Sequence, residues 1–190
     1  MLLINKQGIL DQNMDNILSF VSLRYKTRIN KKIGEHYRTL KYLSYQFDNS
    51  WLLDLGTRAG ASAICLASNQ SNKVMSVDIT DKERKEHNFD FSNFPNIEFV
   101  LDGAQGVPSS FYDRFSLILI DLDHNGKTEE RILRKIKTSS FTGVLILDDI
   151  IKFRALKVEW NNITYPKQIL DYAHHTGTGI CAINCEVVCS

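Results

Sequence analysis

Trp51-Leu52-Leu53-Asp54-Leu55-Gly56-Thr57-Arg58-Ala59-Gly60-Ala61-Ser62 is the stretch that decides how this chain folds. A short apolar run carries an acidic residue near its end, glycines shape a tight turn, and small residues that suit a helix follow. The pattern is a strand feeding through a glycine loop into a helix. Glycine there lets backbone come close to a ligand with no Cβ in the way. In open α/β sheets ligands gather at the carboxyl ends of the strands, where this loop lies.

Working downstream, strand-length runs recur at Trp51–Leu55, Lys73–Asp78, Ile97–Leu101, Phe115–Asp121 and Gly143–Asp148. Helical stretches near 60–69, 81–92 and 126–139 separate them. Ser116-Leu117-Ile118-Leu119-Ile120 and Val144-Leu145-Ile146-Leu147 are apolar on both faces, as strands covered by helices on both sides are. The alternation predicts an α/β fold: a Rossmann-like, doubly wound, mostly parallel sheet in three α/β/α layers. Past Asp149 the pattern shifts. A helix over 152–162 ends before Pro166, and Lys167–Ala173 with Thr178–Val188 reads as a C-terminal antiparallel hairpin around His175-Thr176-Gly177. Upstream, Met14, Ile17, Leu18, Val21 and Leu23 give residues 11–30 a helical period, and a second helical stretch covers 35–47. The expected organisation is one domain, with N-terminal helices (1–48) packed on a Rossmann-like core (49–190).

A length of 190 residues suffices for one buried core. The formal net charge of +1 supplies no global field to recruit nucleic acid or a membrane. The one basic run, Arg24, Lys26, Arg28, Lys31 and Lys32, reads as a solvated helix end. Met1-Leu2-Leu3-Ile4-Asn5-Lys6 lacks the basic start and long apolar stretch of a signal peptide, and no apolar run reaches membrane-spanning length. The expected compartment is the cytoplasm. There the four cysteines, Cys65, Cys181, Cys185 and Cys189, are expected to be reduced. The C-x3-C-x3-C spacing of the last three fits neither a zinc nor an iron–sulfur motif, and they read as small apolar residues.

The loop chemistry narrows the ligand. A dinucleotide fingerprint needs G-x-G-x-x-G, and here Arg58 and Ala61 stand where two of its glycines belong. Asp54 also puts a negative charge where a pyrophosphate would sit. A carboxylate suits a ligand with an ammonium group, and S-adenosylmethionine carries one. Asp78, followed by Ile79, closes the next strand about twenty residues on, where a carboxylate accepts hydrogen bonds from both ribose hydroxyls of an adenosine. Asp102-Gly103 at the third strand tip is placed to meet the adenine edge. The candidate cofactor contacts are therefore Asp54, Gly56, Thr57, Arg58, Gly60, Ser62, Asp78, Ile79, Asp102, Gly103 and Asp121.

Strand four ends in Ile120-Asp121-Leu122-Asp123-His124 and strand five in Leu147-Asp148-Asp149. Carboxylates converging at neighbouring tips repel and shift one another's pKa unless a cation sits among them. Oxygen donors suit Mg²⁺ or another hard divalent ion, which would orient a substrate hydroxyl and acidify it. Asp121, Asp148 and Asp149 are the candidate metal ligands. His124 is the candidate general base, with Asp121 beside it in the catalytic pair. Plain helix capping and turn formation would account for the same acids.

Taken together, the glycine loop, Asp78, Ile120–His124 and Gly143–Asp149 resemble class I methyltransferases, most nearly the small-molecule O-methyltransferase branch with its catechol-type and macrolide-sugar enzymes. Gly34-Glu35-His36-Tyr37-Arg38 and His175-Thr176-Gly177-Thr178-Gly179 are similar to a bacterial and viral subgroup. The likeness spans roughly 34–180. It implies that Asp54, Gly56, Thr57, Gly60 and Ser62 contact the methionine half of the donor and Asp78 its ribose. It also implies that Asp121, Asp148 and Asp149 bind magnesium and that His124 acts as base. Thr142 replaces the first glycine of the usual strand-five Gly-Gly turn. Asp148-Asp149 stands where catechol-type enzymes carry Asp-Asn, which favours the sugar-type arrangement.

The expectation is metal-assisted O-methylation of a small molecule or a sugar or glycan hydroxyl. A methyltransferase of protein or nucleic acid, and a noncatalytic cofactor-binding module, are the rival readings. Against nucleic acid, the chain has no basic stripe and no base-flipping loop after strand four. The short chain leaves the acceptor site open or completed by a second copy in a homo-oligomer. One helical turn cannot bury Glu35, His36, Tyr37 and Arg38 cheaply. That segment reads as an amphipathic helix with Tyr37 inside, or as a cover over the ligand.

Overall fold

The computed structural model describes residues 2–104 and 106–189. The chain opens with strand β1 (Leu2–Ile4) and four short helices, α1 (Lys6–Leu10), α2 (Asp15–Leu18), α3 (Leu23–Asn30) and α4 (Tyr37–Ser44). Strands and helices then alternate: β2 (Trp51–Leu55), α5 (Ala61–Leu66), β3 (Lys73–Asp78), α6 (Lys82–His87), β4 (Ile97–Leu101), β5 (Phe115–Ile120), α7 (Lys127–Thr138), β6 (Gly143–Leu147) and α8 (Arg154–Asn162). A 3-10 turn at Ser109–Arg114 leads into β5. The chain closes with β7 (Lys167–Leu170), β8 (Thr178–Ile183) and β9 (Val187–Cys189).

Seven strands form one sheet in the order β4-β3-β2-β5-β6-β8-β7. The pairs from β4 to β6 are parallel, and β8 runs antiparallel between β6 and β7. The expected Rossmann-like sheet and C-terminal hairpin are both present. Side chains alternate along each strand, so both faces are apolar. Leu52, Val74, Leu117, Leu119, Val144 and Ile146 pack with α5 and the N-terminal helices, through Ile64, Leu66, Ile17, Ile29 and Leu40. Leu53, Leu55, Val77, Ile118, Ile120 and Leu147 pack on the other face against Ile132 and Ile136 of α7 and Trp160 of α8. Strand order reverses between β2 and β5, which makes their tips the switch point where ligands bind in such sheets.

The helical period of 11–30 breaks into α2 and α3, because Ser22 takes an extended backbone (φ −64°, ψ 157°) just before α3. The stretch Thr178–Val188 likewise splits at Asn184, whose φ is +52°. One pairing had no sequence signal: β1 runs parallel to β9 and brings the chain ends together. Arg38 and Lys41 of α4 fasten the leading segment. The Arg38 guanidinium donates to the carbonyls of Gln12, Asn30 and Lys31, and the Lys41 ammonium to the Asn13 carbonyl and Asn16 Oδ1. Cys65, Cys181 and Cys185 are free thiols; the Cys189 side chain lies outside the described residues. Among the described residues, no helix is long and apolar enough to cross a membrane.

Candidate active site

Backbone strain marks the strand tips. Arg58, Ala104, His124 and Asp149 all have positive φ (49°, 49°, 60° and 61°), and they follow β2, β4, β5 and β6 respectively. Such conformations cost energy in residues with a Cβ and collect at functional sites. Two positions go further and require glycine. Gly56 has φ +95°, and a Cβ there would stand 1.8 Å from the Asp121 carbonyl oxygen. Gly60 has φ +98°, and its Cβ would press on the Phe91 ring at 2.7 Å. The glycines thus serve close packing of the β2 loop on the β5 tip and on Phe91.

A cavity of about 260 Å³ opens at these tips. Gly56, Arg58, Asp78, Ile79, Asp102, Gly103 and Asp121 of the candidate cofactor set all line it. The Asp78 carboxylate is fixed in place: Oδ2 accepts the Arg58 N–H at 2.8 Å and Oδ1 the Thr80 N–H at 3.1 Å. Ile79 beside it is 79% exposed, an apolar surface held at the rim. A second cavity of about 280 Å³ lies between α7 and α8 and touches none of the candidate residues.

Asp54, Thr57, Gly60 and Ser62 do not line the cavity. Asp54 shares the face of Leu52 and is fully buried beneath the glycine loop. Its Oδ2 accepts hydrogen bonds from the Ser62 and Ser76 hydroxyls, each at 3.0 Å. Burial pushes its pKa up, and the Thr57, Ser62 and Ser76 hydroxyls pull it back. Asp54 Oδ1 and Thr57 Oγ1 are buried with no hydrogen-bond partner.

The β5–α7 turn presents His124. Glu129, fully buried in the first turn of α7, accepts the N–H of His124 at 2.9 Å and of Gly126 at 3.0 Å. The His124 ring stacks on Phe153, centroids 4.7 Å apart and planes at 16°. Its Nε2 stands 3.1 Å from Asp149 Oδ2 and 3.8 Å from Asp121 Oδ1. Burial, together with the Asp148 and Asp149 charges and against the pull of His36, pushes the Asp121 carboxyl up to about 7.

The three expected metal ligands do not form one donor set; this corrects the sequence-based grouping. Asp121 and Asp149 gather around His124, whereas Asp148 belongs to a separate group with His36 and His174. Neighbouring side chains at a strand end point to opposite sides, and Asp148 continues the face of Val144 and Ile146 toward the N-terminal helices. There Asp148 Oδ2 meets His36 Nδ1 at 3.0 Å and His174 Nδ1 at 2.7 Å, and Oδ1 accepts the Thr178 hydroxyl at 2.6 Å. Burial works against the Asp148 charge, but His36 and His174 hold its pKa far below the usual carboxylate range. Burial alone would lower the His36 pKa too, and the Asp148 carboxylate raises it to about 9.

Solved structures share this architecture. A candidate caffeoyl-CoA O-methyltransferase from Staphylococcus aureus superposes with a TM-score of 0.64 at 16% identity, over 93% of this chain and 98% of that one. The O-methyltransferase from Bacillus cereus, in complex with SAH, gives 0.55 at 19% identity over 77% and 80%. This chain has a class I methyltransferase fold. An rRNA methylase from Streptococcus thermophilus also matches, with TM-score 0.53 at 16% identity over 76% and 93%, so the methyltransferase fold does not by itself choose an acceptor. No family model and no curated protein matches the sequence.

Within the methyltransferase fold, Glu35, His36, Tyr37 and Arg38 are all buried, against the expectation from cost. Each polar member has a partner. Glu35 takes a bidentate pair from Arg28 at 3.2 and 3.1 Å, His36 meets Asp148, and Arg38 is spent on three carbonyls. His174, Glu35 and Glu129 were not among the candidate site residues. The Gly34–Arg38 and His175–Gly179 motifs flank the first two, and the Glu three residues past Gly126 is a helix-start signal.

Proposed function

We propose that this chain is an S-adenosylmethionine-dependent methyltransferase that methylates a hydroxyl oxygen of a small molecule, sugar or glycan with the help of a hard divalent cation. The observation that carries the reading is the cavity at the switch point, lined by the anchored Asp78 and by Asp121, whose Oδ1 stands 3.8 Å from His124 Nε2 just outside the lining. When bound, the donor supplies an electrophilic methyl group on a sulfonium. The residues present fit it. Asp78 keeps lone pairs free for two ribose hydroxyls because its orientation is already set by two N–H groups. Ile79 offers a flat ring an apolar surface in the cavity that Asp102 and Gly103 also line. Asp54 lies buried beneath the loop with Oδ1 unsatisfied, and its carboxylate suits the ammonium end through charge rather than through contact in the cavity.

At the acceptor end, Phe153 stacks on the His124 ring and sets its plane. Nδ1 is buried with no hydrogen-bond partner, so Nε2, which faces Asp149 and Asp121, is the nitrogen available to draw off the hydroxyl proton, in the tautomer that carries its proton on Nδ1. Such a base is worth about 10²–10⁴ in rate. Asp121 and Asp149 are the residues that would hold a hard cation, through Asp121 Oδ1 and Asp149 Oδ2, the oxygens that face His124. Its chemistry there would be to orient the hydroxyl and lower its pKa. Much of the remaining catalysis is alignment of oxygen, methyl and sulfur.

Calorimetry with S-adenosylmethionine and S-adenosylhomocysteine, with Mg²⁺ and with EDTA, tests the donor. Binding of both is expected, with or without metal. Methyl transfer to a sugar panel that vanishes in EDTA tests the cation. Donor binding with no transfer that survives His124→Gln and Asp121→Asn unchanged would instead mark a noncatalytic module.

A further inference from the structure

We infer that His36, His174 and Asp148 form a metal centre of their own, built for a first-row transition-metal ion and separate from the Asp121–His124–Asp149 group. The three donors come from three places: the residue before α4, the β7–β8 loop and the tip of β6. Their ligating atoms lie within 4.8 Å of one another. His36 and Asp148 are buried and His174 is 11% exposed, so the cluster is not a chance meeting of surface side chains.

Hydrogen bonding satisfies Asp148 but crowds His174 Nδ1 and leaves Asp149 Oδ1 with no donor. A ring nitrogen carries one proton or one lone pair. Yet His174 Nδ1 faces three oxygens: Asp148 Oδ2 at 2.7 Å, Thr176 Oγ1 at 2.8 Å and Asp149 Oδ1 at 3.5 Å. Asp149 Oδ1 is buried, has no hydrogen-bond partner, and its side chain is 10% exposed. Asp148 Oδ2 in turn faces both imidazoles. A cation among them would satisfy the two nitrogens and both carboxylates at once.

The surroundings are those of a metal-ligating histidine. His174 Nε2 stands 3.9 Å from Glu35 Oε2, and Glu35 is itself gripped by Arg28. At that distance the Glu35 charge favours, without a hydrogen bond, the tautomer that keeps its proton on Nε2 and leaves the Nδ1 lone pair for a metal. Thr178 holds the second oxygen of Asp148 at 2.6 Å. Two imidazoles with one carboxylate select Fe²⁺, Mn²⁺, Co²⁺ or Zn²⁺ over Mg²⁺, which prefers oxygen donors. Binding expels protons from the imidazoles, so affinity rises with pH. Asp149 links the centre to the other group, since its Oδ2 faces His124 while its Oδ1 faces His174.

The test uses the whole chain, stripped with chelator and loaded with Cu²⁺ or Co²⁺ alone, with no methyl donor present. Electron paramagnetic resonance of the Cu²⁺ form should show two imidazole nitrogens on the ion. Zn²⁺ and Co²⁺ should bind on the order of 100-fold more tightly than Mg²⁺. His174→Gln should leave one nitrogen in the spectrum, and Glu35→Gln should weaken binding roughly 10-fold. The wild-type spectrum keeps the test valid if a variant does not fold. A single nitrogen that disappears in His124→Gln would overturn the inference by assigning the ion to the other group. Failure to bind Cu²⁺, Co²⁺ or Zn²⁺ more tightly than Mg²⁺ would overturn it as well. Neither result touches the donor reading, which is measured by calorimetry in EDTA.

Discussion

Two backbone N–H groups hold Asp78 in one orientation at the mouth of the cavity, so its carboxylate meets a diol without first being ordered. Hydrogen bonds to a charged acceptor are each worth about 1.5–3 kcal/mol. Asp78→Ala should therefore weaken S-adenosylmethionine and S-adenosylhomocysteine by roughly 10- to 100-fold for each of the two hydroxyl bonds lost, about 100-fold or more in calorimetry. His124→Gln should leave both affinities alone and lower methyl-transfer turnover by about 10²-fold or more. Equal donor affinity in wild type and Asp78→Ala would remove the ribose assignment. Asp78, Asp121 and His124 were legible because each ends a strand run, and strand ends are where such folds bind ligands. His36 and His174 were not, since they lie 112 and 26 residues from the carboxylate they share. Nothing local to either position announces that meeting. Asp148 and Asp149 were legible as acids but not as members of different groups. That separation comes from strand alternation past the end of β6 and from where the N-terminal segment packs.

The turn between β5 and α7 is a small device for placing a histidine. Its residues Asp121 to Gly126 must leave the sheet and start a helix within one tight bend, and His124 takes a left-handed backbone to do so. Glu129 compensates by accepting two N–H groups of that bend from a fully buried position. Removing it leaves both N–H groups unsatisfied, at a cost of about 1–3 kcal/mol. Glu129→Ala should lower the urea midpoint accordingly and reduce turnover, because His124 loses its support. Glu129→Gln keeps an acceptor and should recover part of both. A stability loss with turnover unchanged would make Glu129 a helix cap and nothing more. At this scale the parallel strands were plain in the sequence, since a short run apolar on both faces suits a strand sandwiched between helix layers. The pair β1–β9 was not, because strands of three residues have no periodicity to detect. The division of α2 from α3 was hidden because apolar residues continue through the break at Ser22.

Across the whole molecule, His36 is where the N-terminal helices are tied to the sheet's ligand edge. Its ring is buried between α4 and the β6 tip, where, with no cation bound, the contact with Asp148 favours its protonated form. An unfolded histidine titrates near 6.5, and His36 in the folded chain titrates near about 9. The folded state therefore holds a proton that the unfolded chain has released. Its contribution is present in full below about pH 6.5 and is lost as pH rises through about 9. Asp121, raised to about 7, acts in the same direction, losing its share as pH climbs from the ordinary carboxylate range through about 7. The shift at His36 corresponds to about 3 kcal/mol. Chemical unfolding in EDTA, which keeps cations from competing for the ring, should show a stability gap between wild type and His36→Gln that is larger near pH 6 than near pH 10 by about that much. The gap should narrow steadily toward about pH 10, because the wild-type ring becomes neutral while glutamine does not titrate. A gap of constant size over that range would mean that His36 holds the N-terminal helices by packing alone, with no charge shared with Asp148.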